Sequence, residues 1–164
     1  AFIRKISYPT GSGQAEIIDI LHSAAHSAPL IKIKLKDKTF FIPAFNSAFV
    51  GQAITIGSGE IIPGNVLHLK DIPVGTQVYN VERNPGDGGK MVRAAGTFTT
   101  VSKKKLNHVV LSMSGRRSNN KEITLAEDCR ATIGRIAGDG RILKPFVTAG
   151  RKHYKMKAKN NIKL

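Results

Sequence analysis

Negative charge is scarce in this sequence, and beyond Asp139 there is none: 11 acidic residues stand against 26 basic ones in 164, a net charge of +15. Cysteine is nearly missing. A single thiol, Cys129, excludes an internal disulfide and a cysteine-rich zinc site, and fits a reducing compartment better than a small secreted scaffold. Tryptophan is absent, in keeping with small cores. No apolar run reaches the length of about 18 residues that a membrane-crossing helix needs. The first residues show no cationic stretch leading into an apolar core and cleavage site, so no secretory leader is expected. Nor is there an amphipathic pattern of helical length, which leaves short strands as the building material.

The positive charge is unevenly spread. Residues 1–70 carry a net +3, residues 71–140 +4, and the last 24 residues +8, more than half of the total. In that last stretch Arg141, Lys144, Arg151, Lys152, Lys155, Lys157, Lys159 and Lys163 have no carboxylate among them, so their counter-charge must come from another molecule. Cations that neutralise phosphates gain free energy by releasing condensed counterions, which makes a nucleic acid the natural partner. A merely solvating tail would not need Phe146, His153, Tyr154 and Met156 interleaved with the cations. An anionic membrane would need a broader apolar face. Rings can stack on unpaired bases and arginine can fork onto phosphate, which favours RNA over duplex DNA. The competing structural reading has Phe146 and Tyr154 pinning the tail to a folded body, with His153 a solvated neighbour of phosphate.

Along the chain, residues 1–13 read as an extended arm with Arg4, Lys5, Tyr8 and Pro9. Residues 14–21 read as a strand. Ile31-Lys32-Ile33-Lys34-Leu35 alternates with the period of a half-buried strand, Asp37-Lys38 makes the turn, and residues 39–42 return to Pro43. Residues 49–56 form another apolar run, and residues 71–76 look like a joint. Six further strands are predicted at 77–82, 91–93, 97–102, 109–113, 123–125 and 131–137. Short strands at this spacing indicate small β-barrels, the second of SH3 kind. His22 and His26 have the spacing of a helical metal pair, yet Ser, Ala and Pro29 surround them and no third ligand is near, so no metal site is expected.

Between the first two of the later strands lies Asn84-Pro85-Gly86-Asp87-Gly88-Gly89-Lys90, followed by Arg93-Ala94-Ala95-Gly96-Thr97. Glycines and small side chains permit close approach of another surface, with Lys90 and Arg93 on either side. The Gly-Lys-Ser/Thr ending and following helix of a nucleotide-binding loop are missing. The carboxylates Asp87, Glu122, Glu127, Asp128 and Asp139 are scattered among turns without a paired histidine, so no enzyme and no cofactor are expected.

These runs, with Asp128 through Gly134, Gly138-Asp139-Gly140-Arg141, Lys144-Pro145-Phe146 and Ala149-Gly150-Arg151-Lys152, closely resemble the universal large-subunit ribosomal protein L-two family, called L-eight in eukaryotes. Ile18 through His22, Ser27 through Leu30, Pro63 through Leu67 and Ile72 through Thr76 match the same family in the same order. The wording is most similar to the archaeal and eukaryotic branches. The resemblance implies an all-β fold, an OB-like barrel followed by an SH3-like barrel, with extended basic N- and C-terminal arms. It divides the chain into residues 1–70 (arm and OB-like domain), 71–149 (SH3-like domain) and 150–164 (a basic extension penetrating RNA). It implies a structural constituent of the large, cytoplasmic ribosomal subunit, near the peptidyl transferase region, supporting assembly and subunit association. The implied partners are large-subunit ribosomal RNA and neighbouring ribosomal proteins, with no membrane, no small-molecule substrate and no homo-oligomer. Carried over by position, RNA binding falls on Gly86, Gly88, Gly89 and Lys90; on Arg93, Ala94, Ala95, Gly96 and Thr97; on Gly138, Gly140, Arg141 and Lys144; and on Gly150, Arg151, Lys152, His153, Tyr154, Lys155, Lys157 and Lys159. The glycine- and histidine-rich tail of the family lies past Leu164, so no residue here carries its role. A free tandem-barrel RNA-binding factor is the rival reading.

Overall fold

The structure, a computed structural model, describes residues 6–113 and 121–161, with only the backbone described at 141, 142 and 158–161. Arg4, Lys5 and Lys163, and the side chains of Arg141 and Lys159, therefore lie outside the described residues. The described residues form ten strands and one α-helix: β1 (Gly13–Leu21), β2 (Leu30–Leu35), β3 (Lys38–Pro43), β4 (Ala53–Gly57), β5 (Val66–His68), β6 (Gln77–Tyr79), β7 (Thr99–Lys105), β8 (His108–Met113), β9 (Glu122–Ala126), β10 (Arg130–Ile133) and α1 (Ala149–Asn161). The strands join in one ladder, β3-β2-β1-β4-β5-β10-β6-β7-β8-β9. Its pairings are antiparallel except for β4 with β5, where Ile56 lies opposite Val66.

The apolar residues divide into two cores. One gathers Ile17, Ile31, Ile33, Ile42, Ile54 and Ile56. The other gathers Leu69, Ile72, Val101, Val109, Leu111 and Leu125. Because neighbouring residues of a strand point to opposite faces, the central strands feed both cores: Val66 of β5 and Tyr79 of β6 enter the first, while their neighbours Leu67 and Val78 enter the second. Each buried aliphatic side chain is worth about 1.5–3 kcal/mol, so the ladder holds two hydrophobic clusters in a fixed relation.

The all-β reading holds for the body, and several local expectations change. The β2–β3 turn is Lys36-Asp37, one residue earlier than the sequence suggests, since Leu35 pairs with Lys38. Lys36 takes φ 55° to make it. The 49–56 run becomes a strand only at Ala53, with Phe49 and Val50 left exposed. Residues 91–93 form no strand but a single bridge, Val81 to Met91. The strand predicted at 131–137 stops at Ile133, and the three-residue β5 was not anticipated. In the supposed joint, Ile72 is fully buried in the second core.

Both arms differ from expectation. The described part of the N-terminal arm is tucked in: Ile6, Tyr8 and Pro9 are buried. The Tyr8 hydroxyl donates to the Asn80 carbonyl at 2.6 Å and accepts from the Thr132 hydroxyl at 2.6 Å. Burial of this phenol pushes its pKa well above the ordinary value. At the other end, residues 149–161 are helical, not extended. Ala, Arg, Lys and Met are strong helix formers even without an apolar stripe, and the Lys152 amide donates to the Thr148 carbonyl at 3.3 Å to start the first turn.

Candidate nucleic-acid interface

The glycine-rich loop is organised by two carboxylates. Asp87 accepts the amides of Arg83 (3.1 Å), Asn84 (3.2 Å) and Gly89 (3.1 Å). Glu82, fully buried, accepts the amides of Gly86 (3.3 Å), Gly88 (3.0 Å) and Arg130 (2.8 Å) and the Arg130 guanidinium through Nε (3.2 Å) and Nη2 (2.8 Å). Burial alone would raise the Glu82 carboxyl. The Arg130 fork, with the Arg130 and Gly88 amides, outweighs it and holds the pKa below the ordinary carboxylate value. The remaining Arg130 nitrogen, Nη1, donates to the Pro9 carbonyl at 2.8 Å, and the guanidinium stands 5.3 Å above the Tyr8 ring. Beside this network the Cys129 thiol is buried and its pKa is pushed up to about 11, chiefly by burial.

The loop amides of Gly86, Gly88 and Gly89 are thus filled from within and are not offered to a phosphate. Gly88 and Gly89 are both buried, and their close approaches are to the protein itself: a Cβ on Gly88 would stand 2.7 Å from Ser7 Cβ, and one on Gly89 2.6 Å from the Asn80 carbonyl oxygen. Gly86 differs. With φ +82° and nothing within 4 Å of its Cβ position, it is the glycine of this loop that another molecule can approach. Lys90 extends outward, its Nζ 4.0 Å from Asp87.

The second group of candidates forms where three distant loops meet. Gly96 donates its amide to the Ala137 carbonyl at 3.3 Å, and Ala95 donates to the Ser27 hydroxyl at 3.0 Å. Thr97 turns its hydroxyl back to the Ala94 carbonyl at 2.6 Å. A Cβ on Gly138 would lie 3.3 Å from Ala95 Cβ. Arg93, half-buried, donates to the Ile6 carbonyl at 3.3 Å. Arg135 stacks over Phe98 at 5.6 Å and pairs with Asp139 at 2.9 Å. His26, read from the sequence as part of a solvated loop, sits here with its Nδ1 3.0 Å from the Ser23 hydroxyl; burial, then the Arg93 charge, lowers its pKa. Arg135 carries no signal in the sequence, and His26 stands out there only for its spacing from His22; neither announces a place beside residues 93–98. Among the described residues no group of three or more His, Cys, Asp or Glu could hold a metal ion.

Gly96 offers a test of this meeting point. It has φ +71°, and a Cβ there would stand 2.5 Å from Asp139 Cα, whereas Gly86 is equally left-handed but open. Gly86→Ala should cost about 1–2 kcal/mol from backbone conformation alone. Gly96→Ala adds overpacking, for a total on the order of 2–4 kcal/mol in denaturant unfolding. Equal losses at the two positions would mean that the loops do not touch as described.

The third group lies on and before α1. Lys144, Gly150, Arg151, Lys152, His153, Tyr154, Lys155 and Lys157 are all exposed, and Gly140 and Gly150 have open space around them. Phe146 packs beneath Lys155, whose Nζ is 4.5 Å from the ring centroid. His153 and Tyr154 meet edge to face at 5.5 Å. The ion pairs of the described residues engage Lys70, Lys90, Lys103, Arg130 and Arg135. Among the described residues, Lys144, Arg151, Lys152, Lys155 and Lys157 have no carboxylate partner. Arg151 and Lys155 are one turn apart, so their like charges oppose the helix, and no acidic residue stands in its first turn to favour its N-terminus.

Residues 62–163 match the family profile described as Ribosomal Proteins L2, C-terminal domain. Proteins named large ribosomal subunit protein uL2 are similar over most of the chain. The one from Archaeoglobus fulgidus is 42% identical over 147 residues, 88% of this chain and 60% of the relative. That from Natronomonas pharaonis is 44% identical over 146 residues, 88% and 58% respectively. That from Sulfolobus acidocaldarius is 39% identical over 156 residues, 93% and 64%. The chain therefore spans about three fifths of the length of these relatives. With the profile covering more than half of its residues, the chain belongs to the uL2 family of ribosomal proteins.

Proposed function

We propose that the chain serves as a structural constituent of the large ribosomal subunit, binding large-subunit ribosomal RNA through α1 and the loops at Gly86, Arg93 and Gly138. The observation that carries this reading is the set of five exposed cations without a carboxylate partner among the described residues, Lys144 before α1 and Arg151, Lys152, Lys155 and Lys157 on it, where their like charges oppose the helix. A folded RNA supplies the missing negative charge, and contacts to phosphate and 2′-hydroxyl groups fix the protein without extensive base reading. The names of the uL2 relatives support the ribosomal assignment. The two hydrophobic cores, one drawn mainly from residues before 67 and the other from residues after, support reading residues 1–70 as an OB-like unit and 71–149 as an SH3-like one.

In this reading the protein is a monomer among neighbouring ribosomal proteins, near the peptidyl transferase region, where it lowers the electrostatic cost of compact RNA and so supports assembly and subunit association. Its role is architectural, with no catalytic step. Sedimentation of native lysate tests the proposal. The chain should travel with the large subunit and leave it only in a high-salt wash. A chain that stays at the top of the gradient in low salt would overturn the ribosomal reading in favour of a free RNA-binding factor.

A further inference from the structure

A cleft of about 480 Å³ opens beside the glycine loop, its walls including Thr10, Ser12, His68, Pro85, Gly86 and Arg130. That volume falls within the range of about 300–1,000 Å³ typical of small-ligand sites. Gly57 also lines it, and the absence of a side chain there lets Ser12 come close, since a Cβ would meet Ser12 Cβ at 2.6 Å. The hydroxyls of Thr10 and Ser12 have no partner among the described residues and are free to donate or accept. His68 Nδ1 is 2.9 Å from the Asp128 carbonyl oxygen. Since a carbonyl only accepts, Nδ1 carries the proton, and in the neutral ring Nε2 offers a lone pair. Pro85 adds a flat apolar wall.

The ionic groups here are already balanced. Arg130 is forked onto Glu82, and the Asp128 carboxylate, also at the rim, pairs with Lys70 at 3.0 Å. A phosphate would find no unspent cation and would face a carboxylate. A nucleobase, uncharged, with a π-face for the imidazole and edge groups for the hydroxyls, suits the walls better. Gly86, open on the same side, lets a sugar-phosphate chain pass close.

We propose that this cleft holds a single unstacked nucleotide of the bound RNA, base inward; the proposal rests on the RNA-binding reading above. The test uses the whole chain, isotope-labelled, with three probes followed by magnetic resonance: oligoadenylate, a short blunt RNA duplex and adenosine monophosphate. Oligoadenylate should shift the His68 ring and the amides of Gly11 and Gly86, while the duplex, offering no free base, should shift α1 alone. Thr10→Trp fills the cleft from an exposed position. It should weaken the cleft response roughly tenfold, as the loss of one stacked base would, and leave the α1 response intact. Three results would overturn the proposal: a cleft response to duplex equal to that for oligoadenylate, an unchanged response in Thr10→Trp, or saturation by the mononucleotide as readily as by the oligonucleotide. If the cleft is silent while α1 responds, the cleft proposal falls alone. If neither region responds, both readings fall.

Discussion

Replacing Glu82 with alanine should destabilise the protein by about 3–5 kcal/mol, the cost of leaving a buried charge without its partner. Out of a total stability of about 5–15 kcal/mol, that is enough to leave much of the chain unfolded at moderate temperature. The loss is not confined to one ion pair. Glu82 also receives the amides of Gly86, Gly88 and Arg130, so its removal strands three backbone donors together with the guanidinium. Through Arg130 and its bond to the Pro9 carbonyl, the N-terminal segment is loosened as well. Chemical denaturation of Glu82→Ala beside the parent chain measures the difference; a loss below about 1 kcal/mol would place Glu82 in water.

The same group sets an acid limit. The Glu82 pKa is held below its ordinary value in the folded state, so the folded form binds fewer protons than the unfolded one at mildly acid pH. The stabilisation is therefore complete above the unfolded carboxylate pKa and is lost as pH falls through the lowered folded value. Stability measured from neutral pH downward should decline across this acid window. In Glu82→Gln, which cannot titrate, the decline should be shallower.

The second large effect concerns α1. Changing Arg151, Lys152, Lys155 and Lys157 together to glutamine should reduce the dependence of log affinity for large-subunit RNA on log salt by about three. This follows from a slope near 0.7–0.9 per neutralised phosphate. At low salt the binding loss should reach orders of magnitude, because the parent chain draws on the counterion release that the variant forgoes. Helicity should rise by either route that removes the repulsion. The free variant, relieved of repulsion such as that between Arg151 and Lys155, becomes more helical, and the parent gains helix on adding RNA. Circular dichroism with and without RNA reads both. An unchanged salt slope would mean that the phosphates are neutralised by other residues.

How far the sequence could be read depended on whether a residue's neighbours in space left a periodic trace. β2 was legible because Ile31, Ile33 and Leu35 alternate with lysines, and one buried face writes such a pattern. β5 was not, since three residues hold no period, and the strand is defined by its partners β4 and β10. The helix was missed for a different reason: α1 has no buried face, and with every side chain described on it exposed, no apolar stripe could announce it. The candidate loops were visible as glycine-rich runs, but the purpose of their glycines was not. Gly88, Gly89 and Gly96 admit the protein's own backbone, and only contact across the fold reveals it. Glu82 and Arg130, 48 positions apart, are ordinary polar residues until the chain folds.

The central strands carry one more implication. Val66 and Leu67 are consecutive residues whose side chains enter different cores, and Val78 and Tyr79 repeat the arrangement on the neighbouring strand but one. A hinge between the two halves would have to tear such strands out of their ladders, so the angle between them is set by covalent geometry and cannot adapt to what it grips. RNA bound as proposed would therefore have to conform to a rigid calliper, with the charged helix belonging to neither core.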